Sequence, residues 1–285
     1  MLNLPVYTSQ EFKRLYHGRG EKTYPFLTVD SIENSVLVEF YEKKDEKPFL
    51  EYLKKYIQNT HHKNIIVKRR YKNETLAFIG EIPKKIFAIE NGIKFKLNLF
   101  NQNIGYFGDT KNVRSYVEKT SKNKKVLNLF AYTCGFSLFA RRGGAEYIAN
   151  VDMNKSVLAT GMANHQINGL DIKNISFRPY NILKAFPKLK RQAPYDIIII
   201  DPPTHQKGSF IASKDYIKII KKLPSLSHQS TILLACINDP KTTKKDFINF
   251  IEENTEFKAK EEITPPEEYK NSSLKSIVFT SYCTR

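Results

Sequence analysis

Cysteine is scarce in this 285-residue chain: Cys134, Cys236 and Cys283 are odd in number and far apart. That spacing excludes a disulfide framework and the paired ligands of a structural zinc site. No apolar stretch reaches the ~20 residues that a membrane span needs. The opening MLNLPVYTSQEFKRLYHGRG lacks the basic, apolar and small-residue succession of a secretory signal. The expectation is a soluble, cytoplasmic protein with no membrane partner. The glycines of a phosphate-cradling GxGxxG loop are missing too, which argues against a dinucleotide site. No cluster of His, Cys and acidic side chains suggests a metal, and no strand-to-helix elbow carries a serine nucleophile.

What the chain does have is positive charge. Lys and Arg number 46 against 29 Asp and Glu, a formal net charge of +17. Residues 1–100 hold 18 basic and 12 acidic side chains, and residues 101–285 hold 28 and 17, so the excess is shared between the halves. A field of this sign attracts polyanions, nucleic acid before anionic membrane. The plainer reading is a lysine-rich solvated surface. Two clusters, Lys68-Arg69-Arg70 and Lys184, Lys188, Lys190 with Arg191, are the candidates for holding phosphates.

The texture changes near residue 100. Before it, TYPFLTVDSI, SVLVEFYE, NIIVKRRY and ETLAFIGEI have β-branched and aromatic strand character, and the spacing in Lys47–Asn59 predicts a helix. Asn91-Gly92 between two alternating runs is a hairpin signal, expected to link two domains. Residues 1–100 therefore read as a small α/β domain with a possible RNA contact, and 101–285 as a second domain. From Lys124 onward, strand and helix alternate: KVLNLFAY, GFSLFARRGG, EYIANVD, a helix over 154–168, ISFRPY, NILKAFPKLK, YDIIIIDPP, a helix over 213–223, TILLACI, a helix over 243–252, EFKAKEEI and SIVFTSYCTR. The unbroken apolar run IIII suits a strand buried on both faces. Repeated β–α units mean a doubly wound, mostly parallel sheet that binds ligands at the carboxyl ends of its strands. Residues 263–275 read as a loop.

Three of those strand ends carry chemistry. Asn128–Gly135 turns from strand to helix and can aim backbone N–H groups at a ligand. Asp152 ends the next strand, where a carboxylate can accept bonds from both hydroxyls of a ribose; alternatively it N-caps the following helix, a task open to Asn154 as well. Asp201-Pro202-Pro203-Thr204 fixes a rigid turn that can present carbonyls and a carboxylate to an amine or ring N–H, or can simply stop a buried strand.

The ordered strings GYFGDTKNVRSYV, NLFAYTCGFSLFA, NVDMNKS, ANHQINGL and DIIIIDPPTHQKGSF resemble the large-subunit ribosomal RNA methyltransferases. That family includes cytosine-5 enzymes and the guanine-N7 half of a fused bacterial enzyme. EFKRLYHGRGEKTYPFLTVD resembles the small domain that precedes the catalytic one, so nearly the whole chain is covered. The resemblance implies a Rossmann-like class I methyltransferase domain, α/β with a mostly parallel sheet and an antiparallel last strand, preceded by a small α/β domain. It implies S-adenosylmethionine (SAM) as cofactor and RNA, 23S rRNA above all, as partner.

By the same resemblance, Tyr106, Phe107 and Asp109 bind SAM; Asn128, Phe130, Tyr132, Thr133 and Gly135 surround its methionine part; Asp152 takes the ribose; and Asn181 stands where the family has an acid at the adenine. Asp201, Pro202 and Pro203 would line the space between methyl donor and base. Lys111 for Arg, Cys134 for Gly or Ser, and His205 for an aromatic are departures.

Cytosine C5 methylation requires a thiolate that first adds to the ring. Ungapped matching of TILLACINDP to the cytosine-5 pattern puts Asn238 at the cysteine position, with Cys236 two residues early, ~6–7 Å away along a strand. Cys236 is therefore expected to be a buried hydrophobe and Asn238 a site residue, which leans towards a nitrogen acceptor. The rival readings are a SAM-dependent enzyme of a non-RNA substrate and an RNA-binding module with a decayed cofactor site.

Overall fold

The structure is a computed structural model that describes residues 2–206 and 210–281; Cys283 lies outside them. The chain forms two compact units, Met1–Lys111 with Pro266–Ser272 and Asn112–Pro265 with Ser273–Arg285. The division thus falls eleven residues beyond the change of texture at 100, and part of the 263–275 loop returns to the first unit.

In the first unit, β1 (Lys13–His17), β2 (Leu27–Ile32), β3 (Ser35–Phe40), β4 (Asn64–Arg69) and β5 (Glu74–Ile79) form one sheet in that order. Helix α1 (Lys47–Ile57) is the crossover that makes β3 and β4 parallel. Alternation assigns the two faces. Val29, Val36, Val38, Phe40, Ile65 and Val67 pack with Leu50, Leu53 and Tyr56 of α1. The opposite face carries a cross-strand row, Thr28, Glu39 and Lys68, all buried, with buried Asp30 one pair along. Asn91-Gly92 does close a hairpin, β6 (Phe87–Glu90) with β7 (Ile93–Lys96), and it belongs to the first unit rather than bridging the two. Strand β1 has no counterpart in the sequence reading.

The second unit begins one residue into α2 (Lys111–Thr120), another unanticipated element. It continues with β8 (Lys125–Leu129), α3 (Gly135–Arg142), β9 (Tyr147–Asp152), α4 (Lys155–Ile167), β10 (Ile175–Pro179), α5 (Ile182–Lys190) and β11 (Ile197–Ile200). A small ribbon of β12 (His205–Gln206) and β13 (Phe210–Ile211) precedes α6 (Ala212–Ile220), β14 (Ile232–Asn238), α7 (Lys244–Asn254), β15 (Phe257–Glu262) and β16 (Leu274–Ser281).

The sheet order is β10-β9-β8-β11-β14-β16-β15, parallel from β10 to β14. Strand β16 is antiparallel to both its neighbours, so the last strand of the chain is the reversed one. Helices α5, α6 and α7 bury Ile182, Phe186, Tyr216, Ile219, Phe247 and Ile251 in one core, and α2 and α3 bury Val113, Val117 and Phe136 in another. Connections run outward from β8 to β10 on one side and from β11 to β14 on the other. Adjacent β8 and β11 therefore mark the topological switch point, where such sheets open a crevice for ligands.

Candidate functional site: the carboxyl edge of the second unit's sheet

The turn after β8 has an unusual backbone. Phe130, Tyr132 and Cys134 have φ of +59°, +47° and +62°. Alternation of left-handed residues turns successive N–H groups towards one side of the chain, the geometry of an anion-binding concavity. Left-handed conformations cost free energy in residues other than glycine, so the turn needs outside support.

That support is visible. The Asp152 carboxylate at the end of β9 accepts from Tyr132 N at 3.0 Å and from Asn154 N at 2.9 Å. Asn164 Nδ2 of α4, fully buried, donates to Thr133 O at 3.2 Å. Gly161 of α4 lies so close to Cys134 that a Cβ there would come within 2.3 Å of its Sγ. Asn154, not Asp152, N-caps α4, accepting from Ser156 N and Val157 N. Asp152 is therefore a brace between this turn and the next helix. Helix α3 starts at Gly135, directly after Cys134, and has no side-chain cap. Its first-turn N–H groups are left to a ligand or water.

Beneath the turn runs a buried chain of neutral groups. Asn128 Nδ2 donates to Asn150 Oδ1 at 2.9 Å, Asn150 Nδ2 donates to Ser137 Oγ at 2.9 Å, and Ser137 Oγ lies 3.0 Å from His165 Nε2. His165 Nδ1 lies 2.8 Å from Gly161 O, which can only accept, so Nδ1 carries the proton and Nε2 accepts from Ser137. Burial holds the His165 imidazole below its ordinary pKa. Asn128 Oδ1, at the open end of the chain, is buried and finds no donor among the described residues.

The remaining strand ends add three groups. Asn181 N-caps α5, its Oδ1 accepting from Leu183 N at 3.1 Å. Asp201 is half-buried, Pro202 buried and Pro203 exposed. Thr204 Oγ1 of this turn donates to Asn238 O at 3.0 Å, and Ser273 Oγ donates to Asn238 Oδ1. The Asp201–Thr204 turn and the end of β14 are thus tied into one corner. Phe130 packs its ring on Phe210, with centroids 4.7 Å apart.

Neither described cysteine is poised for nucleophilic attack. Cys236 is fully buried and its thiol donates to Ser276 Oγ at 3.3 Å. Cys134 is buried in the turn, where desolvation and the Asp152 charge push its thiol well above its ordinary pKa.

Tyr106, Phe107 and Asp109 stand in the first unit. Tyr106 packs on Phe12 and Phe95 with its hydroxyl donating to Glu90 at 2.6 Å; Asp109 accepts from Ser272 Oγ at 3.2 Å; Phe107 is exposed. Sequence reasoning missed Ser137, Asn150, Gly161, Asn164 and His165. Polar residues inside the apolar strings NVD and GFSLFA were the available signal, since buried polar groups must find partners. No group of three or more potential metal ligands occurs among the described residues. No helix there is long and apolar enough to cross a membrane.

An uncapped helix start, a carboxylate held on the neighbouring strand and a buried carbonyl without a donor among the described residues leave polar groups for a ligand at this edge. The comparisons agree. The family model for S-adenosylmethionine-dependent methyltransferases matches residues 13–272. The Bacillus subtilis protein YwbD, provisionally named a ribosomal RNA large subunit methyltransferase, is 29% identical over 91% of this chain and 70% of its own length. The ribosomal RNA large subunit methyltransferase K/L of a Shewanella species is 30% identical over 73% of this chain, which spans only 30% of that protein. Among solved structures, the provisionally named methyltransferase SMU.776, in complex with SAH, superposes with a TM-score of 0.85 and 25% identity, over 96% of this chain and 76% of that one. Its cofactor is therefore S-adenosylmethionine, and the chain belongs to the S-adenosylmethionine-dependent methyltransferases.

Proposed function

We propose that the chain methylates a base of large-subunit ribosomal RNA, at a ring or exocyclic nitrogen, in the cytoplasm where ribosomes are made. The reading is carried by the row of strand ends, from the uncapped α3 to the Asp201–Asn238 corner, in a chain of charge +17 whose relatives carry ribosomal RNA names. When bound, SAM supplies an electrophilic methyl on a sulfonium.

The protein's own share is placement, which lowers the barrier by holding reactants in line. Gly135 N–H and the turn residues Phe130, Tyr132 and Thr133 would surround the methionine end, with Asn128 Oδ1 as a further acceptor. The second lone pairs of Asp152 would take the ribose hydroxyls, and Asn181 the adenine edge. Asp201, with Pro202 and Pro203, would accept from the N–H edge of a base extruded into the crevice, and Asn238 would align it. For Tyr106, Phe107 and Asp109, cofactor contact is proposed on the resemblance alone.

The acceptor assignment rests on Cys236, which is sealed in the sheet while Asn238, two residues on, reaches the edge. Calorimetry should find SAM and SAH binding that Asp152→Ala abolishes. Mass-spectrometric mapping of rRNA from a deletion strain should then show one missing methylated base, restored by the Cys236→Ala variant. An intact rRNA methylation pattern in the deletion strain sinks the substrate reading, and loss of a 5-methylcytosine that Cys236→Ala cannot restore sinks the nitrogen acceptor.

A further inference from the structure

Elsewhere in the second unit some basic side chains are tied to carboxylates, Arg141 to Asp171, Arg142 to Glu118, Lys218 to Asp215, Lys244 to Glu262 and Lys258 to Glu252, while exposed lysines such as Lys119, Lys155, Lys173 and Lys245 stand singly or in pairs. Helix α5 instead gathers four exposed cations within eight residues. Lys184, Lys188, Lys190 and Arg191 are exposed, and none is in an ion pair among the described residues. The stretch from Arg178 to Gln192 contains no acidic residue at all.

Helical geometry sorts these charges. Ile182, Ala185, Phe186 and Leu189 form the buried stripe. Lys184, Lys188 and Arg191, at steps of four and three, line the opposite side over ~10 Å. Lys184 stands in the first turn of α5, where the helix dipole disfavours a cation, and four residues before a like charge. Cations at the C-terminal end need no such explanation; Lys184 does. Lys188 is held over the Tyr180 ring at 4.2 Å. Tyr180 follows β10, whose Pro179 is paired with Asp152, so the stripe starts at the ligand edge of the sheet. None of the large hydrophobic side chains exposed elsewhere lies between 178 and 192, so the face offers a lipid surface nothing to insert.

We propose that the outward face of α5 is a phosphate track that holds the RNA backbone while a base enters the crevice. The proposal rests on the RNA reading above. Three or four charges over ~10 Å match a polyanion with one charge per ~3.4 Å of strand.

The test is a salt titration of affinity, using a fluorescein-labelled stem-loop RNA of mixed sequence. It compares the full chain with a variant carrying glutamine at 184, 188, 190 and 191, and with a control carrying glutamine at Lys43, Lys54, Lys55 and Lys63 on the first unit. Each replaced phosphate contact should flatten the log–log salt slope by ~0.7–0.9. The α5 variant should therefore lose ~3 from the slope and at least tenfold in affinity near 0.1 M salt, with SAM affinity unchanged. The control should keep its slope. Equal losses in both variants would reduce the effect to net charge and overturn the track. An unchanged α5 variant against a binding wild type overturns it while sparing the RNA reading. A wild type that binds no RNA removes both. Equal loss of binding to phosphatidylglycerol vesicles, with RNA affinity intact, would reassign the face to a membrane surface and overturn the proposal.

Discussion

In the first unit, Lys68, Arg69 and Arg70 all meet acceptors of their own unit; in the second, Lys184, Lys188, Lys190 and Arg191 meet no carboxylate among the described residues. Lys68, only 2% exposed, donates to Leu99 O at 2.8 Å and to Asn101 O. Arg69 pairs with Glu46 at 2.7 Å and with Glu74, and Arg70 with Glu39 at 3.1 Å. As strings the two clusters look equally suited to phosphates. In space, one is internal cement and the other is surface, so the Lys68-Arg69-Arg70 cluster is withdrawn as a phosphate site. The difference extends to the interiors. The first unit buries Asp30, Glu39, Lys68 and Glu90, whereas the second buries chiefly amides and hydroxyls, with Arg114 and Asp152 as its charged members. Net charge by itself therefore says little about where a polyanion binds.

The sharpest way to break this contrast is through Arg14. Its guanidinium holds Asp30 with Nε and Nη2, the latter at 3.2 Å, and lies 5.1 Å over the Tyr269 ring. Arg14→Leu leaves a buried carboxylate unpaired and should cost about 3–5 kcal/mol. Urea unfolding of the full chain would read this as an early transition of the first unit. A midpoint shift no larger than that of an exposed lysine would mean the buried pair is not cement. Next comes Lys68→Met, which keeps the stem and removes two hydrogen bonds. About 1–3 kcal/mol of stability should go, while RNA affinity of the folded protein stays as it was. A flattened salt slope in this variant would return Lys68 to the phosphate contacts.

Acid should also weaken the first unit through a buried histidine. His62 is buried against Ser31 and Thr60, and burial together with His61 lowers its pKa to about 4. The unfolded chain takes up that proton near pH 6.5, the folded one only near 4. The stabilisation is thus complete above pH 6.5 and is lost as pH falls towards 4, by about 1–2 kcal/mol once partial solvation of the ring is allowed for. His62→Gln should flatten the pH dependence of the first unit's unfolding over that window; an unchanged curve would show that His62 is not its source.

Most of the second unit was legible because its physics is local. Strand and helix alternate, Asn154 and Thr243 cap the helices they precede, and IIII can only be a strand covered on both sides. The positions of Asp152 and the Asp201 turn followed from strand ends alone. Asp152's double duty did not, because it depends on Tyr132 N and Asn154 N, brought to it by a turn with left-handed residues that no side-chain pattern announces. The Asn128–Asn150–Ser137–His165 chain was hidden for a related reason: its members come from four elements and meet only across the sheet and through helix packing. Strand β1 escaped because KRLYH is polar at most positions, and its place in the sheet depends on buried Arg14–Asp30 pairing rather than on apolar alternation.

The smallest expected effect is the most discriminating. Lys184 occupies the wrong end of α5 for its charge and faces Lys188 four residues on, so Lys184→Gln should leave the second unit unchanged or stabilise it by about 0.2–0.5 kcal/mol. Lys188→Gln removes a cation held over Tyr180 near the favourable end and should destabilise by about 0.5 kcal/mol. If both substitutions nevertheless weaken RNA binding, stability and binding run in opposite directions at Lys184, as expected of a residue kept for its ligand. A Lys184→Gln variant that loses more than about 1 kcal/mol in urea would exceed what exposed positions show. It would reveal a structural task for that side chain, and the contrast between cemented and displayed charge would then end one turn short, at Lys188.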